Sequence, residues 1–248
     1  MRRYAAISDI HGNRWALEAV LRDIENRGIG YIINLGDSLY GPLDPSTTAE
    51  MLMQRSIPSV LGNEDRLISK PGDPDISPIL RYVLDSLSTE QVKWLQKMPA
   101  TRIINDTLFA CHATPRSDSE YFFWDFHRGN LVPRSREDMS LMTKSIEHPA
   151  LLCGHDHVAG SVTLDSGLFV ANPGSVGLPA YVDDIPYPHV MQNGSPHARY
   201  AIISEDHGEW NAEHVLLDYD WEAAAIKAAQ NGRQDWASWL RTGKIGAD

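Results

Sequence analysis

Ser8-Asp9-Ile10-His11-Gly12-Asn13 follows the apolar run Tyr4-Ala5-Ala6-Ile7 and precedes Leu17, Val20, Leu21 and Ile24, which recur at helical spacing. The run reads as a short buried strand and the polar stretch as its carboxyl end. Asn13 reads as the cap of an amphipathic helix that closes at Arg27-Gly28. Strand side chains repeat with period two, so Asp9 and His11 are expected to point the same way and to hold one face of a metal ion. Taken alone, the pair reads more simply as Asp9 capping the next helix and His11 as an ordinary loop residue.

The arrangement recurs along the chain. Tyr31-Ile32-Ile33-Asn34-Leu35 leads into Gly36-Asp37, and Pro58-Ser59-Val60-Leu61 into Gly62-Asn63-Glu64-Asp65. Thr107-Leu108-Phe109-Ala110-Cys111 delivers His112, and Pro149-Ala150-Leu151-Leu152-Cys153 delivers Gly154-His155-Asp156-His157. The first strand, helix and second strand form a right-handed crossover unit with parallel pairing, which brings Asp37 to the same sheet edge as Asp9.

Between these points the spacing predicts helices over 45–55, with Asp44 as cap and Pro45 in the first turn, over 78–87, and from Ser88 with Gln91 completing a capping box. A surface loop is expected at 71–78, a hairpin over 101–111, and a helix over 135–148. The aromatic stretch 113–134 has no period and is expected to be a long loop overhanging the site. Short strands follow at 161–164 and 168–171, then a Pro-rich loop over 178–198, strands at 199–204 and 213–217, and helices over 221–241.

Hydrophobic residues make up 42% and charged residues 22% of the 248 positions, which is ordinary globular usage. With neither linker nor repeat, a single domain over 1–248 is expected. A net charge of -11 disfavours a protein that neutralises long nucleic acid, while a small phosphate-bearing substrate remains compatible if bound cations supply local positive charge. The two cysteines, Cys111 and Cys153, sit in apolar runs and read as buried small hydrophobes. With neither a leader pattern nor an apolar run near ~18 residues, a soluble cytoplasmic protein without membrane contact is expected.

Collected, the strand-end donors are Asp9, His11, Asp37, Asn63, His112, His155 and His157. Oxygen and imidazole donors without thiolate suit Mn, Fe, Zn or Ni better than a structural zinc. The set exceeds one tetrahedral ion and fits two if a carboxylate is shared. Such a pair polarises ester oxygens and lowers the pKa of a bridging water, the expected nucleophile for displacement at phosphorus.

In this order, Asp9-Ile10-His11, Gly36-Asp37, Gly62-Asn63-Glu64, His112 and Gly154-His155-Asp156-His157 closely resemble the motifs of the calcineurin-like metallophosphoesterases. Asn172-Pro173-Gly174-Ser175-Val176-Gly177 and the closing strands look like the bacterial and archaeal branch of predicted phosphodiesterases, or diadenosine tetraphosphatase-like proteins. The resemblance implies an α/β fold, a four-layer α/β/β/α sandwich of two facing mixed sheets with metals at the strand ends. It also implies two divalent transition-metal ions, manganese first, with Fe, Zn, Ni or Co as alternatives. By analogy Asp9, His11 and His157 would hold one ion, Asn63, His112 and His155 the other, and Asp37 would bridge them. The implied activity is hydrolysis of a small phosphate ester, phosphodiester or nucleotide-like, with Asp37, Asn63 and Glu64 as catalytic candidates. The alternative is a non-catalytic regulatory or scaffold protein that keeps the fold.

Many members carry His where this chain has Glu64, and a carboxylate near two cations makes a poor general acid unless burial raises its pKa. Three readings compete: Glu64 as a weak acid, Asp65 in its place, or a leaving group that departs unassisted. The last is preferred, and it predicts good activity on activated aryl esters and slow turnover of alkyl ones. Arg116 and Arg128 are candidate phosphate clamps, with solvated loop cations as the equal alternative. Tyr121 to Phe126 could stack a nucleobase or simply pack on the core. His127, His148, His189, His197, His207 and His214 read as surface histidines, and Asn172 as a turn former that could stand behind the metals.

Overall fold

The computed structural model describes residues 1–70 and 76–246. The strand β1 (Arg2–Ile7) pairs in parallel with β2 (Ile32–Asn34) and antiparallel with β12 (Ala198–Asp206), which in turn pairs with β13 (Glu209–Leu217). The second sheet runs β3 (Thr101–Ile104), β4 (Leu108–Cys111), β7 (Ala150–Leu152), β9 (Phe169–Asn172), β8 (Gly160–Thr163), with β4, β7 and β9 parallel. Both sheets are therefore mixed.

Period two decides which side chains meet. Tyr4 and Ala6 face Leu108, Ala110, Leu152 and Ala171 of the second sheet, while Ala5 and Ile7 face the opposite way. On that outer side lies α1 (Arg14–Asn26), whose Leu17, Val20, Leu21 and Ile24 form one buried stripe; Asn13 caps it by accepting from Ala16 N at 3.1 Å. Beside it Leu52 of α2 (Pro45–Gln54) joins the same core, with Asp44 as cap and Pro45 in the first turn. The outer face of the second sheet buries Cys111, Leu151, Cys153 and Val170 against Phe122 and Met139 of α6 (Arg136–Met142). The layers thus run α/β/β/α, as the family resemblance implies.

Two more helices, α4 (Pro78–Ser86) and α5 (Thr89–Gln96), begin at the expected Ser77 and Ser88 caps, the latter with its Gln91 capping box. At the C-terminus α7 (Trp221–Gln230) and α8 (Gln234–Thr242) pack Ala224, Ala225, Ala228, Trp236 and Trp239 against Leu43, Leu178 and Ala180.

Several expectations need correction. Residues 58–61 make only an isolated parallel bridge, Ser59 to Asn34, because Leu61 N turns away to Pro99 O and the chain enters the unforeseen helix α3 (Asn63–Ser69). The loop expected over 113–134 contains the hairpin β5 (Trp124–His127)–β6 (Asn130–Pro133), and that over 178–198 contains β10 (Ala180–Asp183)–β11 (His189–Gln192). Each is a two-stranded ribbon outside the main sheets, so neither shows a clean burial alternation. The helix expected over 135–148 is only α6, and residues 71–75 of the expected surface loop lie outside the described residues.

Candidate active site

Parallel pairing of β1 with β2 and of β4 with β7 sends four connections to one end of the sandwich, where Asp9, His11, Asp37, His112, His155 and His157 emerge. The expected strand-like alternation of Asp9 and His11 does not occur, since β1 ends at Ile7. Instead Asp9, His11, Asp37, His155 and His157 all adopt left-handed backbone, with φ of 54°, 52°, 51°, 67° and 56°. Such conformations cost on the order of 1–3 kcal/mol each and persist where surrounding bonds over-determine them. Here Asp9 N and His11 N donate to Gly36 O and Asp37 O, both at 3.0 Å, zipping the two loops together. Close approach accounts for two glycines. A Cβ on Gly62 would strike the Asp37 carboxylate, and one on Gly154 would strike Ser8 Oγ and come within 3.0 Å of Asp9 Oδ2.

The donors form overlapping groups whose ligand atoms lie within 4.8 Å of one another: Asp9, His11 and His157; Asp37, His112 and His155; His11, Asp37 and Glu64. Carbonyl oxygens fix the imidazoles. Nδ1 of His11, His157 and His112 lies 2.9, 2.9 and 2.7 Å from the oxygens of Tyr40, Leu178 and Leu35, which places a proton on each Nδ1 and turns each Nε2 inward. His11 Nε2 and His157 Nε2 then face each other at 3.1 Å. Two lone pairs at that distance require a positive particle between them, a proton or a metal ion.

Asp9 adds to this picture. Its Oδ2 accepts from His155 N at 3.1 Å, but the fully buried Oδ1 has no hydrogen-bond partner and lies 3.4 Å from His157 Nε2. An orphaned carboxylate oxygen beside inward-facing imidazoles is chemically suited to a cation. One end of the Asn63 amide lies 3.0 Å from His112 Nε2, 3.1 Å from His155 Nδ1 and 3.2 Å from Asp37 Oδ2; by themselves these acceptors call for its NH2 group, whereas a cation among them would call for its carbonyl. His112 Nε2 is 3.3 Å from Asp37 Oδ2, and Asp37 belongs to groups containing both His11 and His112. All seven expected donors are thus brought together.

Charge is crowded here. Burial opposes the His112 cation, yet the nearby Asp37 carboxylate outweighs it and holds the imidazole at about 10. Burial likewise opposes the His11 cation, and Glu64 at 3.1 Å overrides it to about 9. Burial would raise Asp37, but His112 and His11 hold it well below the usual carboxylate range. His155 goes the other way, pushed down to about 4 by burial and by His112. Burial lifts Glu64 to about 7 against the pull of His11, and lifts Asp65, with help from Asp37, to about 6.

Glu64 and Asp65 differ in direction. Glu64 lines the cleft over the cluster and turns Oε2 to His11 Nδ1. Asp65 is fully buried beneath, its carboxylate accepting from Ser38 N, Leu39 N and Gly62 N at 3.0, 3.3 and 3.4 Å. Behind this end of the second sheet, Asn172 bridges Gly154 O and Gly174 N, both at 2.8 Å.

A cleft of about 340 Å³ opens over the cluster, walled by Tyr40, Leu178, Tyr181, Asp183, Arg233 and Trp236 among others. Arg116 does not line it and sits exposed in a separate depression shared with His112 and Asp118, while Arg128 is exposed in the β5–β6 turn. Of the aromatic run, Tyr121 reaches the site, its ring 5.0 Å from that of His155 and its hydroxyl 2.7 Å from both Tyr181 Oη and His189 Nε2; Phe122 is buried in the core. The cleft residues missed in the sequence include Tyr40, Tyr181, Asp183, Arg233, Asp235 and Trp236. No local pattern marks them, because packing of distant segments puts them there.

The description "calcineurin-like phosphoesterase superfamily domain" fits residues 3–191 of this chain. An uncharacterized protein of Methanocaldococcus jannaschii is 29% identical over 248 residues, covering 94% of either chain. The crystal structure of a metallophosphoesterase from Sphaerobacter thermophilus superposes with a TM-score of 0.76 at 24% identity, over 98% of this chain and 100% of that one. A hypothetical protein from Pyrococcus horikoshii gives 0.75 at 18%, over 99% and 100%.

Proposed function

This chain belongs to the calcineurin-like phosphoesterase superfamily, and on that premise we propose that it is a metal-dependent hydrolase of small phosphate esters, phosphodiester or nucleotide-like. Asp9, His11 and His157 would hold one divalent ion, Asn63, His112 and His155 a second, and Asp37 would serve both, with manganese the first candidate. The observation that carries this reading is the 3.1 Å approach of His11 Nε2 to His157 Nε2 while both Nδ1 atoms are committed to carbonyls. Bound divalent ions supply Lewis acidity toward the phosphoryl group and lower the pKa of a coordinated water.

The chain's own contribution is to orient. Carbonyls of Leu35, Tyr40 and Leu178 lock three imidazoles in one tautomer, and Glu64 N donates to Asp37 Oδ1 at 3.0 Å, which fixes that carboxylate. Burial lifts Glu64 to about 7, which would suit a general acid, but its Oε2 is turned to His11 and bound cations would favour its ionised form again, while Asp65 accepts three backbone N–H groups beneath the site. Departure without proton transfer therefore remains our reading, and it favours leaving groups that are stable as anions.

Among the described residues no helix is long and apolar enough to cross a membrane, and the proposed setting is the cytoplasm. The decisive assay is Mn-loaded protein with bis-p-nitrophenyl phosphate and, in parallel, alkyl phosphate esters. Turnover of the aryl ester well ahead of the alkyl esters is expected. Stoichiometric metal with no turnover under any divalent ion would replace the enzyme by a scaffold, and equal rates on both classes would restore a general acid.

A further inference from the structure

We propose that Arg233 is a second anion subsite, receiving an acidic group of the substrate remote from the phosphate ester at the His/Asp cluster. The proposal rests on the phosphoesterase reading above and adds a substrate class to it: esters that carry a second phosphate or carboxylate.

Position comes first. The Trp236 ring stands edge-on to His11, centroids 6.0 Å apart, and the Arg233 guanidinium lies 5.6 Å from the centroid of that same indole. Gly41 makes room for the indole, whose rim would lie 3.1 Å from any Cβ there. The guanidinium is thus one indole away from a metal-facing histidine, on the wall of the same cleft.

Orientation follows. Asp235 Oδ1 and Oδ2 accept from Arg233 Nε at 2.8 Å and Nη2 at 2.6 Å, with the two side chains 28% and 43% exposed. An ion pair this exposed adds little to stability. What it does is hold the guanidinium plane at the cleft wall. Two of the five N–H donors of the fork are committed there, and the fork suits the paired oxygens of carboxylate or phosphate.

Charge selects the ligand. Among the described residues, and histidines aside, Arg233 is the one cationic side chain lining the cleft; the other charged ones are Asp37, Glu64, Asp183 and Asp235. An anionic group extending beyond the metal cluster meets apolar and aromatic walls, the carboxylates Asp183 and Asp235, and one cation, Arg233. The volume of about 340 Å³ falls within the ~300–1,000 Å³ usual for small-ligand sites, so one molecule can occupy both ends. Arg233 and Trp236 lie beyond residue 191, where the family match ends, so selectivity here belongs to the C-terminal helices.

Calorimetry on the full-length Mn-loaded protein tests this. The ligands are α,ω-alkane bisphosphonates and ω-carboxyalkylphosphonates of graded linker length, each against its alkyl monophosphonate, with metal content checked after every titration. At one linker length the doubly acidic ligand should bind about 10-fold or more tighter than its monophosphonate, the scale of one charge-assisted hydrogen bond. That ratio should collapse in R233A and return in part in R233K, and the series with the larger ratio names the second group. Absence of a preference at every length, or a preference that survives in R233A, overturns the subsite. If the wild type binds the monophosphonate and hydrolyses bis-p-nitrophenyl phosphate, only the subsite has failed. If it does neither, the phosphoesterase reading fails and the subsite goes with it.

Discussion

Glu64 Oε2 lies 3.1 Å from His11 Nδ1, the nitrogen on the far side of the ring from the Nε2 that meets His157. Under the proposed metal assignment, a carboxylate that shares the Nδ1 proton with Tyr40 O raises the basicity of His11 and helps to fix its orientation. Glu64 is thus directed at a proposed metal ligand rather than at the position of a leaving group.

Glu64→Gln should therefore weaken metal binding about 10–100-fold, the usual cost of removing such a partner. Aryl esterase activity should fall at limiting Mn and recover at saturating Mn, as followed by metal titration alongside rate. A selective loss of alkyl-ester turnover at saturating Mn would instead identify Glu64 as an acid.

Asp65→Asn should act on stability. Its carboxylate accepts three backbone N–H groups from the loops that carry Asp37 and Asn63. Losing bonds to a buried charged acceptor costs roughly 1.5–3 kcal/mol. Urea unfolding should show a loss of that size, with the ratio of aryl to alkyl turnover unchanged; a shift in that ratio would point to proton transfer by Asp65.

With metal removed by EDTA, stability should fall between pH 7 and 10. His11 and His112 bind protons more tightly in the folded chain, at about 9 and about 10 against an ordinary 6.5. Their contribution is fully present below pH 6.5 and is lost as pH rises through the folded values. Protein saturated with Mn should lack this decline, because the ion takes the place of those protons and binds more tightly as they leave. Melting temperatures measured with and without Mn across this range decide the matter, and parallel curves would refute it.

Gly154→Ala should uncouple fold from site. The added methyl meets Ser8 Oγ and crowds Asp9 Oδ2, so overpacking of about 1–3 kcal/mol is expected together with displacement of Asp9. Metal stoichiometry by mass spectrometry should drop by one, the ion proposed for Asp9, His11 and His157. Full occupancy would show that the loop relaxes without moving the ligand.

Much of the fold is legible in the sequence. The continuous apolar run Tyr4-Ala5-Ala6-Ile7, buried on both faces, and the helical stripe from Leu17 to Ile24 are local records of burial, and the caps Asn13, Asp44 and Ser88 act within one turn. The ribbons β5–β6 and β10–β11 escaped because they lie outside the main sheets. Asp9 and His11 were expected together for the wrong local reason. They converge through left-handed backbone tied to the Gly36–Ser38 loop, not through a continued strand.

The amino-acid sequence by itself determined the donor chemistry and the order in which strands deliver it, because residue type and periodicity are carried locally along the chain. Only the tertiary structure decided that Glu64 turns to His11 and that Arg233 and Trp236 close the cleft. Those contacts join segments far apart in the chain, and their direction depends on how helices pack against loops, which no local pattern encodes.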